Sequence, residues 1–231
     1  MIITIDGPAG SGKSTAARKL AARLELPYLD TGAMYRAIAY QAIRGGVDLN
    51  DPEAVVVMTR NLDLVVDCGP THTRVKVDGH DVSEAIRGMA VSAVSATIAR
   101  LPGIRQLLVK KQREIGAELK SLVSEGRDQG SVVFPEANLK FVLDASLERR
   151  AQRRYDELVA DGEDADLEQV KESLAIRDRS DAVEWAPLLE PGAAVRIDTS
   201  RLTIGQVVQR LLAHIAQLTG RPIGTTVYTS P

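Results

Sequence analysis

The first fifteen residues constrain the fold of this chain more than any other segment. A short β-branched run over residues 2–6 leads directly into the pattern G-x-x-x-x-G-K-S over residues 7–14. Apolar residues then recur at helical spacing between Ala16 and Leu24. A strand, a glycine-rich loop and a helix in this order are typical of a loop that holds the phosphates of a nucleoside triphosphate. The sequence therefore predicts an α/β fold that binds ATP or GTP.

The chemistry of each residue type in this loop suits the binding of phosphate groups. The glycines let the backbone approach phosphate oxygens where a Cβ atom would collide. The Lys13 ammonium can reach the β- and γ-phosphates, and the Ser14 hydroxyl can ligate Mg²⁺. The N–H groups at the helix start add the positive end of the helix dipole. The predicted triphosphate-binding residues are Gly7, Pro8, Ala9, Gly10, Ser11, Gly12, Lys13, Ser14 and Thr15.

Composition limits the function classes that fit the chain. Its 231 residues, 44% hydrophobic and 26% charged, suit a globular α/β protein. A formal net charge of −2 and an aromatic content of 3% argue against a nucleic-acid-binding surface. The single cysteine, Cys68, excludes an intrachain disulfide. Without a bilayer-length apolar stretch or a signal-peptide pattern, we expect a cytoplasmic protein with no membrane partner. We also expect a monomer with no nucleic-acid partner.

Strand and helix patterns alternate along the chain, which favours a mostly parallel sheet covered on both faces. Further core strands are predicted at residues 27–30, 122–124, 139–143 and 194–198. Further helices are predicted from Thr31, which would act as the N-cap, and at residues 83–100, 104–115 and 204–218. Alternating apolar residues between 61 and 82 predict an inserted antiparallel hairpin or meander. The acidic stretch 161–169 is expected to stay solvated.

The residues beyond the loop argue for a kinase of a small anionic substrate. The chain lacks the N-K-x-D and D-x-x-G motifs of GTPases, and neither core strand ends in the Asp-Glu pair of motor ATPases. It offers arginine and aspartate sites instead. These are Asp30 with Tyr35 and Arg36, Arg127 with Asp128 after a core strand, and Arg177 with Asp181 one helical turn apart. Asp30 could instead be a plain helix cap, and the other two pairs could be structural or solvated ion pairs.

Six motifs then occur in a fixed order: G-P-A-G-S-G-K-S-T, Y-L-D-T-G-A-M-Y-R-A, D-V-S-x-x-I-R, G-R-D-Q-G-S-V-V-F-P-x-A, L-x-R-R-A-Q-R-R and R-D-R-S-D. Over about residues 2–215 the chain resembles bacterial cytidylate kinases. The resemblance implies a three-layer P-loop kinase fold with a central, mostly parallel five-stranded sheet. It implies one domain, 1–219, and a flexible tail, 220–231. A nucleotide-binding segment at about 32–105 would contain a β insertion at 61–88, and a helical lid would lie at about 150–173.

The resemblance also implies an activity and the residues that perform it. Members of the family transfer the γ-phosphoryl group of ATP to CMP or dCMP, with Mg²⁺ as the cofactor. Ser14 would hold the ion directly and Asp30 through a water molecule. The implied catalytic residues are Lys13, Asp30, Arg150 and Arg154. The implied CMP-binding residues are Arg36 and Arg127 for the phosphate, Arg105 and Asp128 for cytosine, and Arg177 and Asp181 for ribose. Thr31 and Tyr35 are also implied to bind CMP.

The chain departs from the family pattern at two positions. Glu184 stands where an arginine for the acceptor phosphate is usual, and Ala96 replaces a serine that contacts the base. Either the helix register differs, or Arg179 replaces the missing arginine, or the acceptor site is weak. Two other hypotheses therefore stay open. The chain could phosphorylate UMP, AMP or a non-nucleotide alcohol, or it could bind ATP with little catalysis.

Overall fold

The architecture is given by a computed structural model that describes residues 1–160 and 162–220. Its strands are β1 (Ile2–Asp6), β2 (Tyr28–Asp30), β3 (Leu64–Cys68), β4 (Thr73–Val77), β5 (His80–Asp81), β6 (Leu122–Glu125), β7 (Leu139–Asp144) and β8 (Val195–Asp198). Its helices are α1 (Lys13–Leu24), α2 (Thr31–Arg44), α3 (Pro52–Asn61), α4 (Met89–Ile98), α5 (Pro102–Leu119), α6 (Leu147–Ala160), α7 (Leu167–Trp185) and α8 (Ile204–Thr219). The predicted core strands and the helices α1, α5 and α8 are confirmed to within a few residues.

The central sheet has five parallel strands in the order β2-β6-β1-β7-β8. β1 lies in the middle, with Ile5 beside Glu125 of β6 and Phe141 of β7. All the strand pairs in this sheet are parallel, so the carboxyl ends of the strands lie along one edge. In open sheets of this kind, ligands bind in the crevice outside that edge. The phosphate loop, Asp30 and the segment after Glu125 all leave the sheet there.

Helices cover the sheet on both faces, as a parallel sheet requires. On one face α1 and α8 pack over β1 and β7 through a hydrophobic cluster that includes Leu20, Phe141 and Leu211. On the other face α2 and α5 pack over β2 and β6 through a second cluster that includes Met34 and Leu108. The predicted three-layer α/β fold is therefore confirmed.

The segment between α2 and α5 confirms one sequence prediction and differs from two others. The predicted hairpin or meander is a three-stranded antiparallel meander, β3-β4-β5, whose inward residues Val75 and Val77 join the core. The single helix predicted at 83–100 is interrupted, because Gly88 adopts an extended conformation between a short 3₁₀ turn and α4. The helix α3 was not predicted, although Asp51 caps it and Pro52 occupies its first turn.

One other prediction was wrong in detail. Thr31 does not cap α2, because Asp30 is the N-cap and its Oδ1 accepts a hydrogen bond from the backbone N–H of Ala33. In the acidic stretch, residues 162–169 are exposed or half-buried, in agreement with the prediction, and Asp166 caps α7, which begins at Leu167. The predicted tail, apart from Gly220, lies outside the described residues. Within residues 1–160 and 162–220, no helix combines the length and apolarity needed to cross a membrane.

Candidate active site

The phosphate loop wraps the N-terminus of α1 and depends on glycine for its conformation. Gly7, Gly10 and Gly12 have φ values of 139°, 74° and 84°, a region that other residues rarely adopt. Gly12 is the N-cap of α1, and no side chain caps the N–H groups of the first turn. The Lys13 ammonium donates to the Pro8 carbonyl oxygen at 3.3 Å, which turns the side chain back over the loop. This arrangement presents an ammonium and free N–H groups to an anion.

Replacing Gly7 by Ala is expected to destabilise the protein strongly. A Cβ atom there would lie 2.1 Å from the Leu143 carbonyl oxygen, a backbone atom of β7 that cannot move away. We expect the free energy of unfolding to fall by about 3 kcal/mol or more. Gly46→Ala is the control, because Gly46 has a φ of 60° but nothing within 4 Å of the new atom. That variant should lose only about 1 kcal/mol. Equal losses in urea unfolding would contradict the predicted clash.

Two cavities open at the carboxyl edge of the sheet. The inner cavity, about 280 Å³, is lined by Tyr35, Arg105, Asp128, Asp181 and Glu184, among others. The outer cavity, about 690 Å³, is lined by loop residues Ala9, Gly10 and Gly12 and by side chains of the α6–α7 region. Six residues line both cavities: Lys13, Ser14, Arg36, Ser95, Arg127 and Arg177. Four of these six are basic, so the junction of the two cavities suits a group with several negative charges.

Arginine–carboxylate pairs hold the basic side chains of the inner cavity. Arg36 donates through Nη2 to Asp30 Oδ2 at 2.9 Å, and Arg127 donates through Nε to Asp181 Oδ2 at 2.8 Å. Arg127 also donates through Nη1 to the Gly7 carbonyl oxygen, which links the β6 loop to the phosphate loop. The buried Nε of Arg36 has no hydrogen-bond partner among the described residues. An unpaired buried donor is costly, and a bound anion would satisfy it.

The loop that follows β6 positions Asp128. Both oxygens of Asp6 accept backbone hydrogen bonds from this loop, from Gln129 at 2.8 Å and Gly130 at 2.9 Å. Burial raises the pKa of Asp6 to about 7, although these two hydrogen bonds oppose the change. Asp128 is buried, with 4% exposure, and its Oδ1 accepts from the Gln129 side-chain amide at 3.1 Å. Its Oδ2 accepts from Arg105 Nη2 at 2.5 Å. Asp128 is therefore held rigidly in the cavity wall.

Glu125, the last residue of β6, was not assigned a role from the sequence. It is buried, with 4% exposure, lines the inner cavity, and interacts with the Ser14 hydroxyl and with the Tyr28 hydroxyl at 3.2 Å. Burial and then the neighbouring Asp30 raise its pKa. Its place at the carboxyl end of a central strand was the signal that could have identified it. Glu125, Asp30 and Ser14 supply oxygen donors of the kind that Mg²⁺ prefers.

The basic residues at the junction of the cavities repel one another. Burial and then repulsion from Arg127 lower the pKa of Lys13 to about 7. The same two causes, in the same order, lower the pKa of Arg177. Both guanidinium groups of Arg127 and Arg177 contact Asp181, Arg177 through Nε at 3.5 Å. Cations crowded in this way are stabilised by a bound polyanion, since phosphate charge replaces the missing solvation.

The structure does not bring both predicted lid arginines to the outer cavity. Arg154 lines it and pairs with Glu157 at 3.1 Å. Arg150 is instead buried, with 5% exposure, and forms a bidentate pair with Asp178 at 2.6 and 3.1 Å. It also donates to the carbonyl oxygens of Ala145 and Ala9. In this conformation Arg150 braces the phosphate loop against α7, and its contact with phosphate stays a prediction.

The two departures from the family pattern lie at the inner cavity. Glu184 and Ala96 both line it, so the register of α7 does not carry Glu184 away from the site. Arg179 is exposed and lines neither cavity. It therefore does not replace the usual arginine in this structure. Ser95, next to Ala96, lines both cavities and donates through Oγ to the Ser92 carbonyl oxygen at 2.8 Å. Thr31 also lines the inner cavity.

Comparisons with known proteins identify the family of this chain. The family model for cytidylate kinase matches residues 3–217. A cytidylate kinase of Caldanaerobacter subterraneus subsp. tengcongensis is 46% identical over 94% of this chain and 95% of its own. One of Geobacillus kaustophilus is 43% identical over 94% and 97%. The crystal structure of an uncharacterized Eubacterium ventriosum protein, at 12% identity, covers 94% of this chain and 98% of its own with a TM-score of 0.53, and supports the fold alone. A family match across nearly the whole chain, joined to identities above 40%, means that this protein belongs to the cytidylate kinase family.

Proposed function

We propose that the protein transfers the γ-phosphoryl group of ATP to CMP or dCMP and releases ADP with CDP or dCDP. The observation that carries this proposal is the set of basic residues shared by the two cavities: Lys13, Arg36, Arg127 and Arg177. ATP would occupy the outer cavity with its phosphates on the loop, and CMP would occupy the inner cavity. The two phosphate ends would then meet among the shared cations.

The reaction needs positioning and charge neutralisation more than it needs a general base. An anionic oxygen of the CMP phosphate attacks the γ-phosphorus atom. The bond between that phosphorus and the β–γ bridging oxygen breaks, and ADP leaves. Lys13 would neutralise the charge on the transferring group, and Arg36 and Arg127 would hold the acceptor phosphate. Arg154 would approach from α6, and Arg150 could join it only after leaving Asp178.

Mg²⁺ fits the oxygen donors beside the phosphate loop. The Ser14 hydroxyl would ligate the ion, and Asp30 would hold one of its water molecules. Glu125 would act through Ser14, because the two side chains interact. When bound, Mg²⁺ supplies a positive charge that neutralises phosphate oxygens. Asp30 already has two partners, the Arg36 guanidinium and the α2 backbone, and both keep its carboxylate at the mouth of the site.

The opposite end of the inner cavity suits cytosine. Cytosine presents an amino donor at N4 and acceptors at N3 and O2. Asp128 would accept from the amino group, and Arg105 would donate to the ring acceptors. Uracil has an oxygen in place of the amino group, and that oxygen would face the Asp128 carboxylate. Tyr35 would pack beside the base, while Arg177 and Asp181 would hold the ribose hydroxyls. We further propose a cytoplasmic monomer that acts on free nucleotides.

A coupled assay of ADP release with CMP, dCMP, UMP and AMP tests the proposed function. CMP and dCMP should be used with kcat/KM values at least about 100-fold above those of UMP and AMP, because the base site is built around a buried carboxylate. A preference for AMP or UMP would overturn the proposal. So would binding of ATP without phosphorylation of any pyrimidine monophosphate. The names of the relatives favour neither of the alternatives that the sequence left open.

A further inference from the structure

Two carboxylates in the inner cavity converge on one guanidinium nitrogen. Arg105 Nη2 lies 2.5 Å from Asp128 Oδ2 and 2.6 Å from Glu184 Oε2. The three side chains come from α5, the β6 loop and the end of α7, so their meeting depends on the tertiary fold. We call Asp128 and Glu184 the carboxylate pair. Two negative groups around one positive group leave hydrogen-bond acceptors in excess at this end of the cavity.

The backbone holds Glu184 in this position. The Ser131 hydroxyl donates to the Glu184 carbonyl oxygen at 2.8 Å, which ties the end of α7 to the loop that carries Asp128. The Glu184 side chain is 29% exposed and lines the cavity. Burial raises its pKa, and Asp128 and Asp181 add to that effect, whereas Arg105 opposes it. Glu184 is thus held partly desolvated beside the base-reading residues.

Among the described residues, Glu184 does not pair with the three arginines that line both cavities. Arg36 pairs with Asp30, while Arg127 and Arg177 pair with Asp181. In the described part of the chain, the ion pair of Glu184 is the one with Arg105. The replacement of the usual arginine by Glu184 therefore changes the environment of the base more directly than that of the phosphate.

We propose that Glu184 determines base specificity, as a second acceptor beside Asp128 for the exocyclic amino group of the pyrimidine. An amino group carries two N–H donors, and the carboxylate pair offers a separate acceptor for each. A keto group at the same position would meet two carboxylates and no donor except Arg105. The inference rests on the proposed function, since it assigns a role within the same acceptor site.

The test compares Glu184→Gln with wild type in steady-state kinetics with CMP, dCMP and UMP. Glu118→Gln is the matched control, because Glu118 is exposed on α5, the helix that carries Arg105, and lines neither cavity. We expect Glu184→Gln to lower the ratio of kcat/KM for CMP to that for UMP by about tenfold or more. The loss should lie mainly in KM for CMP, and KM for ATP should not change. Glu118→Gln should leave all values within about twofold.

Glu184→Arg separates base reading from phosphate repulsion, and it provides a second variant if the first folds poorly. If Glu184 merely weakens phosphate binding, this variant should raise kcat/KM for CMP and UMP together, which would overturn the inference. The inference predicts that it lowers the CMP/UMP ratio, because an arginine repels Arg105 and offers no acceptor. An unchanged ratio in both variants would also overturn it. If the wild-type enzyme prefers CMP and neither substitution changes the CMP/UMP ratio, the inference about Glu184 fails but the proposed function survives. If the wild-type enzyme does not prefer CMP, the inference and the proposed function both fail.

Discussion

Lys13→Ala is expected to lower kcat by about 1,000-fold while the fold is retained. Lys13 lines both cavities, and its ammonium is crowded by Arg127 and Arg177 in a buried setting. A polyanion that reaches across the junction would therefore stabilise the charged form of this ammonium. Initial rates at saturating ATP and CMP give the effect, and thermal unfolding reports whether the variant is folded.

Lys19→Ala is the control for that experiment, because Lys19 is exposed on the same helix. It should retain kcat within about twofold, as expected for a surface substitution. A Lys13→Ala variant that is folded and keeps more than about a tenth of the wild-type kcat would contradict the role given to the loop.

Asp128→Asn is expected to reduce the ratio of kcat/KM for CMP to that for UMP by about 100-fold or more. The substitution removes a buried charge that holds Arg105 and replaces an acceptor oxygen by an amide donor. The cytosine amino group would then meet a donor, whereas the uracil oxygen would gain one. The same nucleotide assay measures the change.

Asp63→Asn, at an exposed position before β3, should leave that ratio unchanged. Because Asp128 and Glu184 share Arg105, the losses caused by Asp128→Asn and Glu184→Gln should not add in the double variant. An Asp128→Asn enzyme with wild-type preference for CMP would show that Asp128 does not read the base.

The sequence was sufficient to predict those parts of the fold and the site that are determined by local interactions. The order of strand, glycine-rich loop and helix predicted β1 and α1, and the apolar spacing predicted the buried face of α1 with Ala17 and Leu20. The placement of Arg127 and Asp128 followed from one topological rule, that ligand sites lie at the carboxyl ends of parallel strands. The structure places both residues in the inner cavity.

The remaining features depend on residues far apart in the chain. The helix α6 carries four arginines. The sequence could not show that one of them, Arg150, forms an ion pair with Asp178, 28 positions later. The pairing of Glu184 with Arg105 spans 79 positions and has no local signal. The helix α3 was missed although Asp51 and Pro52 signal its start, because the β-branched run at 55–57 favours a strand.

The account depends most on the claim that two nucleotides meet phosphate to phosphate at the shared basic residues. Inhibition by a bisubstrate analogue, adenosine and cytidine joined 5′ to 5′ through five phosphates, tests it most directly. The account predicts competitive inhibition against both ATP and CMP, with one analogue bound per chain. Inhibition that is competitive against ATP alone, with CMP still able to bind beside the analogue, would contradict it.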